Sequence, residues 1–541
     1  MSNGQHDEYK RQQRSSISLL LLSMLCVLIL ASCATRKMDV KPSTGLPETF
    51  SLQGEFPLPE KWWTAFEDER LNNLIEEALT DNFSLMAAWD RLNQARALAT
   101  RAGADLLPSL DGSGSASRKR SVSETVIGTS PDGASSAAGS EAGTKKDTSY
   151  SNSFSLGLIA NYEIDLWGRI RSSREAALLD VAASKEDVHA AAMTLSADIA
   201  RIWFRLIEQN GQMRLLDEQN NTNQKQLEII TLKFRRGQAS ATDVLQQRQL
   251  VESNRGERIL AQTSIDVLAN TLDVLTGKAP GTFDMDEPET LPVVASLPET
   301  GLLADWLRRR PDVRAAEYRV MAADKRVGEA IANMFPQFSI SVKADTSSSE
   351  AGDLFINWAS TLAANVVAPL FEGGARRAEV RRSRAVVSER LHTYTQVVLT
   401  SLREVEDALA QETGQALYLE SLYKQIEFAR ISTEQVLDNY TKATMDFTRY
   451  LTTLLSYQNL QRKVLEAERN RVLYRIDLYK SLSGSWWLEN PVVEHDSQIR
   501  NITEQFSGGG TEFYRDCFRH KGEVTHVYEH AIFITKSLQR V

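Results

Sequence analysis

Tyr162-Glu163-Ile164-Asp165-Leu166-Trp167-Gly168-Arg169 marks the point where one sequence period gives way to another. Upstream, Phe154, Leu156, Leu158, Tyr162 and Ile164 hold alternate positions, with Ser153, Ser155, Gly157 and Asn161 between them. That is the spacing of a strand with one apolar and one polar face. Downstream, Val188, Ala192, Leu195, Ile199, Ile202 and Leu206 recur at steps of four and three, the rhythm of a coiled-coil helix. Gly168 stands between the two, as a hinge able to take backbone angles that other residues resist. The same junction occurs again as Ala368-Pro369-Leu370-Phe371-Glu372-Gly373-Gly374.

The echo extends along the chain. Gly168 and Gly374 are 206 positions apart, and so are Phe234 and Tyr440. Asn82-Phe83-Ser84-Leu85-Met86-Ala87-Ala88 aligns with Arg310-Pro311-Asp312-Val313-Arg314-Ala315-Ala316, and Leu107-Pro108 with Phe335-Pro336, at an offset of 228. The offsets differ by 22, and the surplus falls in the Gly/Ser/Ala-rich run between Pro108 and Gly168. The chain therefore reads as a tandem duplication of helix, strand, loop, strand, helix, helix. Copy 1 spans 71–277, a linker 278–301, and copy 2 302–484; 485–541 is a tail outside the repeat.

Within copy 1 a helical region is predicted from about Leu71 to Leu107, interrupted at Asp81-Asn82. Strands follow over Ser109–Arg120 and Tyr150–Ile164, then an apolar seam from Val188 to Phe234, on the order of 70 Å of helix. In copy 2 the strands are marked by Phe338, Ile340, Val342 and Ala344, and by Ile356, Trp358, Leu362, Ala364 and Val366. Each long helix turns, at Arg235-Arg236-Gly237 and at Lys442-Ala443-Thr444, into a second helix. The returning helices end at Leu275-Thr276-Gly277 and Leu482-Ser483-Gly484, where glycine suits a helix C-terminus. Alternating strands of roughly 9–11 residues suit an outer-membrane barrel wall. Four strands cannot close a barrel, since the smallest use about eight, so an oligomer is required; three chains would supply twelve.

Composition sets wider limits. The 541 residues are 42% hydrophobic and 25% charged, enough for a large folded body, and the net charge of −9 argues against nucleic acid as a partner. Residues 1–32 read as a signal peptide: Lys10, Arg11 and Arg14 precede an apolar run from Ile17 to Leu30. That run ends in Leu30-Ala31-Ser32-Cys33, which resembles the lipobox of bacterial lipoproteins, with Cys33 as the acylated residue. By the same resemblance, Ala34 points to the outer membrane. Removal of Cys26 and acylation of Cys33 would leave Cys517 alone, so no disulfide framework is expected. Residues 33–70, with Pro42, Pro47, Pro57 and Pro59, read as a tether.

Catalytic signatures are absent from the sequence: no phosphate-binding glycine loop, no nucleophile elbow, no zinc-protease helix. No enzymatic activity and no cofactor are expected. Cys517, His520, His526 and His530 are ligand types that suit zinc or copper, but they stand in an unpatterned tail, and no metal is assigned to them. His189 and His392 sit singly in long helices and are read as solvent-facing.

The lipobox, the two junctions and Arg309-Arg310-Pro311-Asp312-Val313-Arg314-Ala315-Ala316-Glu317 together resemble the TolC-like outer membrane efflux family, in its lipoprotein NodT/OprM-type subgroup. The likeness runs over residues 33–484. It implies a mainly α fold with a membrane β-barrel. Long helical hairpins would line an α-barrel tunnel, and each chain would give four strands to the twelve-stranded barrel of a homotrimer. It also implies a lipid-anchored duct reaching into the periplasm, with a periplasmic adaptor protein, an inner-membrane pump and outer-membrane lipid as partners. The hairpin tips would close the tunnel and meet the adaptor, which singles out Arg236, Gly237, Asp243, Asp446 and Arg449; Gly168, Gly373 and Gly374 mark the strand–helix junctions. The second tip departs from the family pattern, with Ala443 at the usual glycine and Thr452 at an aspartate that lines the constriction. A coiled-coil scaffold anchored in the periplasm, without a channel, is the alternative reading.

Overall fold

The computed structural model describes residues 40–488, apart from 43, 58, 127–143, 285–289, 443, 485 and 487. The signal segment, Cys33, Ala34, Ala443 and the tail residues Cys517, His520, His526 and His530 lie outside the described residues. Copy 1 contains α1 (Glu69–Asp81), α2 (Phe83–Ala104), β1 (Ser109–Val126), β2 (Thr144–Ile164), α3 (Arg169–Arg235) and α4 (Ala241–Leu275). Copy 2 repeats the order with α5 (Leu303–Arg309), α6 (Pro311–Ala332), β3 (Gln337–Ser348), β4 (Trp358–Val367), α7 (Ala375–Thr441) and α8 (Phe447–Leu482).

Helices α3 and α7 are each 67 residues long, about 100 Å at the α-helical rise. Helix α3 starts at the junction glycine, well before the seam that begins at Val188. Its first five turns bury Ile170, Ala176, Ala183 and the charged Glu186, so they carry no large apolar stripe to read. They pack instead on the alanine-rich α6 and are laced to it by Arg314–Glu186 at 2.8 Å, Lys325–Glu175 at 2.6 Å, Arg319–Asp187 and Arg326–Asp180.

Each long helix is flanked by two shorter ones laid end to end. Helices α2 and α4 pack along α3, and α6 and α8 along α7. One side chain closes each joint. The Asn82 Oδ1 accepts from Leu85 N at 3.0 Å, capping α2, while its Nδ2 donates to Leu275 O at 2.9 Å, finishing α4. In copy 2 Arg310 Nη1 donates to Ser481 O at 3.2 Å, at the end of α8. Adding 228 to 82 gives 310 and adding 206 to 275 gives 481, so both sequence offsets land on the same joint.

The stretch read as a tether is anchored at Phe50 and again at Trp62–Phe66, with 51–57 mostly exposed between them. Trp62 and Trp63, in a short 3-10 helix at Trp62–Phe66, are fully buried with Phe66 against Phe204, Tyr479 and Trp486. Phe50 meets the Trp306 ring edge-on at 5.2 Å. Each large apolar side chain so buried contributes on the order of 2 kcal/mol, which overrides the extended habit of the prolines. Trp486 shows that the packed body runs two residues past the repeat.

The four strands form one antiparallel sheet in the order β1-β2-β3-β4, the two hairpins joined where Phe154–Ile164 of β2 pairs with Ser348–Phe338 of β3. Strands β1 and β2 outrun their expected limits, pairing as far as Val126 with Thr144; cross-strand hydrogen bonding sustains the ladder there without an apolar face to mark it. Ile356 lies in the turn before β4. Gly277 has φ of +77°, as a helix C-terminus favours, but Gly484 is not left-handed; Ser483 caps α8 in an extended conformation.

Candidate functional site

Three features follow from the duplicated junction: a sheet wall, two strand-to-helix corners and a paired tip. The wall has two chemically distinct faces. One carries Leu110, Leu156, Leu158, Tyr162, Ile164, Phe338, Ile340, Val342, Leu362 and Val366, set side by side by the strand register. The other carries Ser113, Ser115, Ser153, Ser155, Asn161, Ser339, Ser341, Lys343 and Asp345. Leu110 and Leu362 stay more than 70% exposed, so the apolar face is bare in the single chain. Both outer edges, β1 and β4, are unpaired within it.

At the corners Gly168 and Gly374 take φ of +75° and +87°, the left-handed region, and each is the residue on which a 67-residue helix starts. Gly373, at +60°, precedes the second. A Cβ would strain the backbone at each of these turns. The rest of the motif is accounted for locally. Asp165 accepts from the amides of Ile170 at 3.2 Å and Arg171 at 2.8 Å, satisfying donors that the first helical turn leaves open. Glu163 takes Arg169 bidentately at 3.0 and 2.8 Å. Trp167 donates to Pro336 O at 2.7 Å and stacks on Phe335 at 4.8 Å, tying the first corner to the start of β3. In copy 2 Glu372 and Arg376 repeat the bidentate pair at 2.6 and 2.9 Å.

At the far end the two hairpin tips pack on each other through Ile230, Val244, Val436, Phe447, Tyr450 and Leu454. Gly237 turns the first tip at φ +73°, and its amide donates to Phe234 O at 2.9 Å. Arg236 is the exposed C-cap of α3. Asp243 and Ser240 form a reciprocal capping box at 2.9 and 3.1 Å. Asp446 caps α8 by accepting from Arg449 N at 2.7 Å. The Arg449 side chain is exposed, and no carboxylate among the described residues pairs with it. Both acids thus have a structural duty at helix starts, and the structure brings the five tip residues Arg236, Gly237, Asp243, Asp446 and Arg449 to one end of the molecule.

The sequence reading missed what joins the tips. Lys233 Nζ lies 3.9 Å over the Tyr440 ring, which stacks on Tyr450 at 6.0 Å. Burial pushes the Tyr450 phenol up to about 12. Tyr440 closes α7 while Phe447 and Tyr450 open α8, so their meeting follows from the turn between the helices and not from one helical face. A second omission is a buried amide layer: Asn223 exchanges hydrogen bonds with Gln458, and Gln247 donates to Asn223 O at 2.9 Å. Asn223 interrupts the apolar seam because it is this layer's centre. His392 is exposed, but His189 is half-buried with its Nδ1 shielded from solvent, contrary to expectation. No group of metal-ligating residues forms among the described residues, and no described helix is long and apolar enough to cross a membrane.

The profile of the family described as "Outer membrane efflux protein" matches residues 74–278 and 302–484. The pyoverdine export outer membrane protein OpmQ of Pseudomonas aeruginosa is 30% identical, over 79% of this chain and 87% of that protein. The cation efflux system protein CusC of Escherichia coli is 27% identical, over 86% and 98%. Among solved structures, the open state of the Neisseria gonorrhoeae MtrE outer membrane channel superposes with a TM-score of 0.72 at 25% identity, covering 85% of this chain and all of that one.

Proposed function

The chain belongs to the outer membrane efflux protein family, and from that premise we propose that it is the outer-membrane channel subunit of a tripartite efflux system. It forms a passive duct through which small molecules leave the periplasm or an inner-membrane pump. The observation that carries this reading is the four-stranded sheet, apolar on one face, polar on the other and open at both edges, mounted on the ends of two helices about 100 Å long.

In lipid each unpaired edge group costs several kcal/mol. Pairing β4 of one copy with β1 of the next removes both edges, and three copies close a twelve-stranded barrel with the serine-rich face inside. A periplasmic scaffold would have no use for the exposed apolar face. The long hairpins then line a tunnel whose tips, with Arg236, Gly237, Asp243, Asp446 and Arg449, constrict it and receive an adaptor protein bridging to the pump. The relatives named above are assigned to pyoverdine and to cations, cargoes with little chemistry in common, which supports a duct that takes what its pump supplies. Cys33 carries the lipid that holds the N-terminus at the outer membrane.

Native mass spectrometry and planar-bilayer conductance of the detergent-purified protein test this. A trimer with discrete channel currents is expected; a folded monomer that conducts nothing overturns it. A diacylglyceryl-modified Cys33 at the mature N-terminus is expected, and an intact apolar leader would remove the anchor. If the tip charges constrict the tunnel, Arg449→Ala and Asp446→Ala alter conductance or ion selectivity. No change in either assay, with export intact in cells, would leave these residues as caps and surface charge only.

A further inference from the structure

We propose that the apolar, outward face of the β1–β2 hairpin binds a phosphate-bearing lipid of the outer leaflet, its phosphates on Arg118 and Arg120 and an acyl chain in the groove over Gly112 and Gly114. The proposal rests on the channel reading, which sets this face toward lipid.

The register places the parts. Even-numbered residues of β1 and β2 share the apolar face, and the last rung that β2 shares with β3 is Phe154 opposite Ser348. From Ile164 to Phe154 the apolar face spans about 33 Å along the strand, roughly 25 Å along the membrane normal at the usual tilt. That is the height of one hydrocarbon layer. Arg118 and Arg120 sit on the next rungs out, opposite Asn152 and Tyr150, about 5–10 Å beyond the band. Their guanidinium groups lie 5.1 and 5.9 Å from the Tyr150 ring centroid, which fixes both on the lipid side. Among the described residues no carboxylate pairs with either; Glu124, on the same face, is 3.6 Å from Lys146. Two guanidinium groups held over one aromatic ring at headgroup level form a fork suited to phosphate oxygens.

One same-face rung, Ala116 opposite Phe154, separates them from a groove of about 540 Å³, walled by Leu156, Leu158, Phe355 and Trp358 and floored by Gly112 and Gly114. A Cβ on Gly114 would stand 3.2 Å from Leu156 Cδ2, and one on Gly112 3.6 Å from Leu158 Cδ2. Neither glycine has a positive φ, so the backbone does not require them; what they supply is the floor. An apolar groove about 13 Å along the strand from an unpaired basic pair matches an acylated, phosphorylated lipid, whereas a free anion would have no use for the groove.

Native mass spectrometry of the purified trimer, with bisphosphorylated lipid A, its dephosphorylated form or inorganic phosphate added, tests the site. The parent should retain the bisphosphorylated lipid, and R118A/R120A should bind it at least about tenfold more weakly. Gly114→Val, which fills the groove without changing charge, should weaken it as well. Lys119→Ala, on the opposite, lumenal face, should bind like the parent. Equal binding by R118A/R120A, equal loss in Lys119→Ala, unchanged binding by Gly114→Val, or retention of inorganic phosphate in place of lipid would each overturn the proposal. Conductance of the same samples separates the two readings: a conducting trimer with unaltered lipid binding in R118A/R120A overturns the lipid site alone, whereas a parent that neither trimerises nor conducts overturns both.

Discussion

The two copies share a backbone plan yet solve the same position with opposite chemistry. In copy 2, Arg475 on α8 is buried and holds Glu412 on α7 at 2.9 Å. It also donates to the carbonyls of Ala295 and Ser296 at 2.8 and 3.0 Å. Subtracting 206 gives Ala269 and Leu206 in copy 1, and Leu206 is fully buried beside Trp203 and Phe204. The difference lies in what crosses each copy. The core that holds Leu206 in copy 1 takes only apolar side chains from the Trp62–Phe66 segment and from the linker's Phe283, Leu291 and Val294. Copy 2 is crossed by the inter-repeat linker, whose irregular backbone brings carbonyls that must find donors. Arginine has donors to spare, and glutamate neutralises it. Duplication supplies the scaffold twice, but at this position linker carbonyls meet only copy 2, and the ion pair stands there.

The largest effect expected is therefore at this pair. Arg475→Ala should cost about 3–5 kcal/mol, because it leaves Glu412 buried without its partner, measured by chemical denaturation in detergent. Glu412→Leu alone should cost a similar amount. The double variant Glu412→Leu/Arg475→Ala installs the copy 1 residues and should recover most of the loss. Full recovery would mean that the linker carbonyls are satisfied without Arg475 and would break the comparison.

Next come the joints, neutral in copy 1 and charged in copy 2. Arg310 is held at 3.0 and 2.7 Å by Asp312 and at 2.8 Å by Glu404 as it reaches Ser481 O. Arg310→Ala should cost about 2–3 kcal/mol, the range for a hydrogen-bonded charge. Asn82→Ala, which removes an N-cap and one bond to Leu275 O, should cost about 1–2 kcal/mol. Equal losses at the two joints would show that the charge adds nothing to the seal.

Smaller effects are expected at the tips, where the caps differ in kind. Ser240→Ala opens the capping box and Asp446→Ala removes a lone cap; each should cost about 1 kcal/mol. Hydrogen exchange at the amides of Asp243 and Arg449 should quicken by about fivefold in the respective variants. Global stability should fall by about the same 1 kcal/mol, since the unfolded chain lacks the cap as well.

The architecture was legible because its signals are periodic or repeated. The change of period at Gly168, its recurrence at Gly374 and the two constant offsets specify helices, strands and their order without tertiary information. The segment around Trp62 was not legible, because prolines set its local character while its aromatics are recruited by distant partners such as Tyr479 and Trp486. The outer rungs of β1 and β2 were missed for the converse reason: beyond the apolar band, pairing alone keeps the strand, and pairing leaves no one-dimensional trace. Nothing in the sequence sets Arg475 and Glu412 apart from the other charges of their helices. Their burial follows from the path of the linker, which no local pattern encodes.

The smallest predicted effect concerns a position where the copies differ in titration. His189 corresponds, 206 residues on, to Thr395. Burial first, then the positive charges of Lys185 and Arg314, hold the His189 imidazole down to about 4, from an ordinary value of 6.5. Above pH 6.5 the ring is neutral in both folded and unfolded chains and has no effect on stability. Below it the unfolded chain takes up a proton that the folded chain refuses, so stability falls with pH. Glu186, one turn earlier and paired with Arg314 at 2.8 Å, is raised by its burial and acts in the opposite sense. Replacing the imidazole alone isolates its share of the change between pH 6.5 and 5. A tenfold change in proton affinity is worth about 1.4 kcal/mol, but the ring is only half-buried and solvent screens it, so less than about 1 kcal/mol is expected over that interval. Denaturation midpoints at pH 7 and pH 5 should differ less in His189→Thr, which carries the copy 2 residue, than in the parent. An identical difference in both would place the acid sensitivity elsewhere.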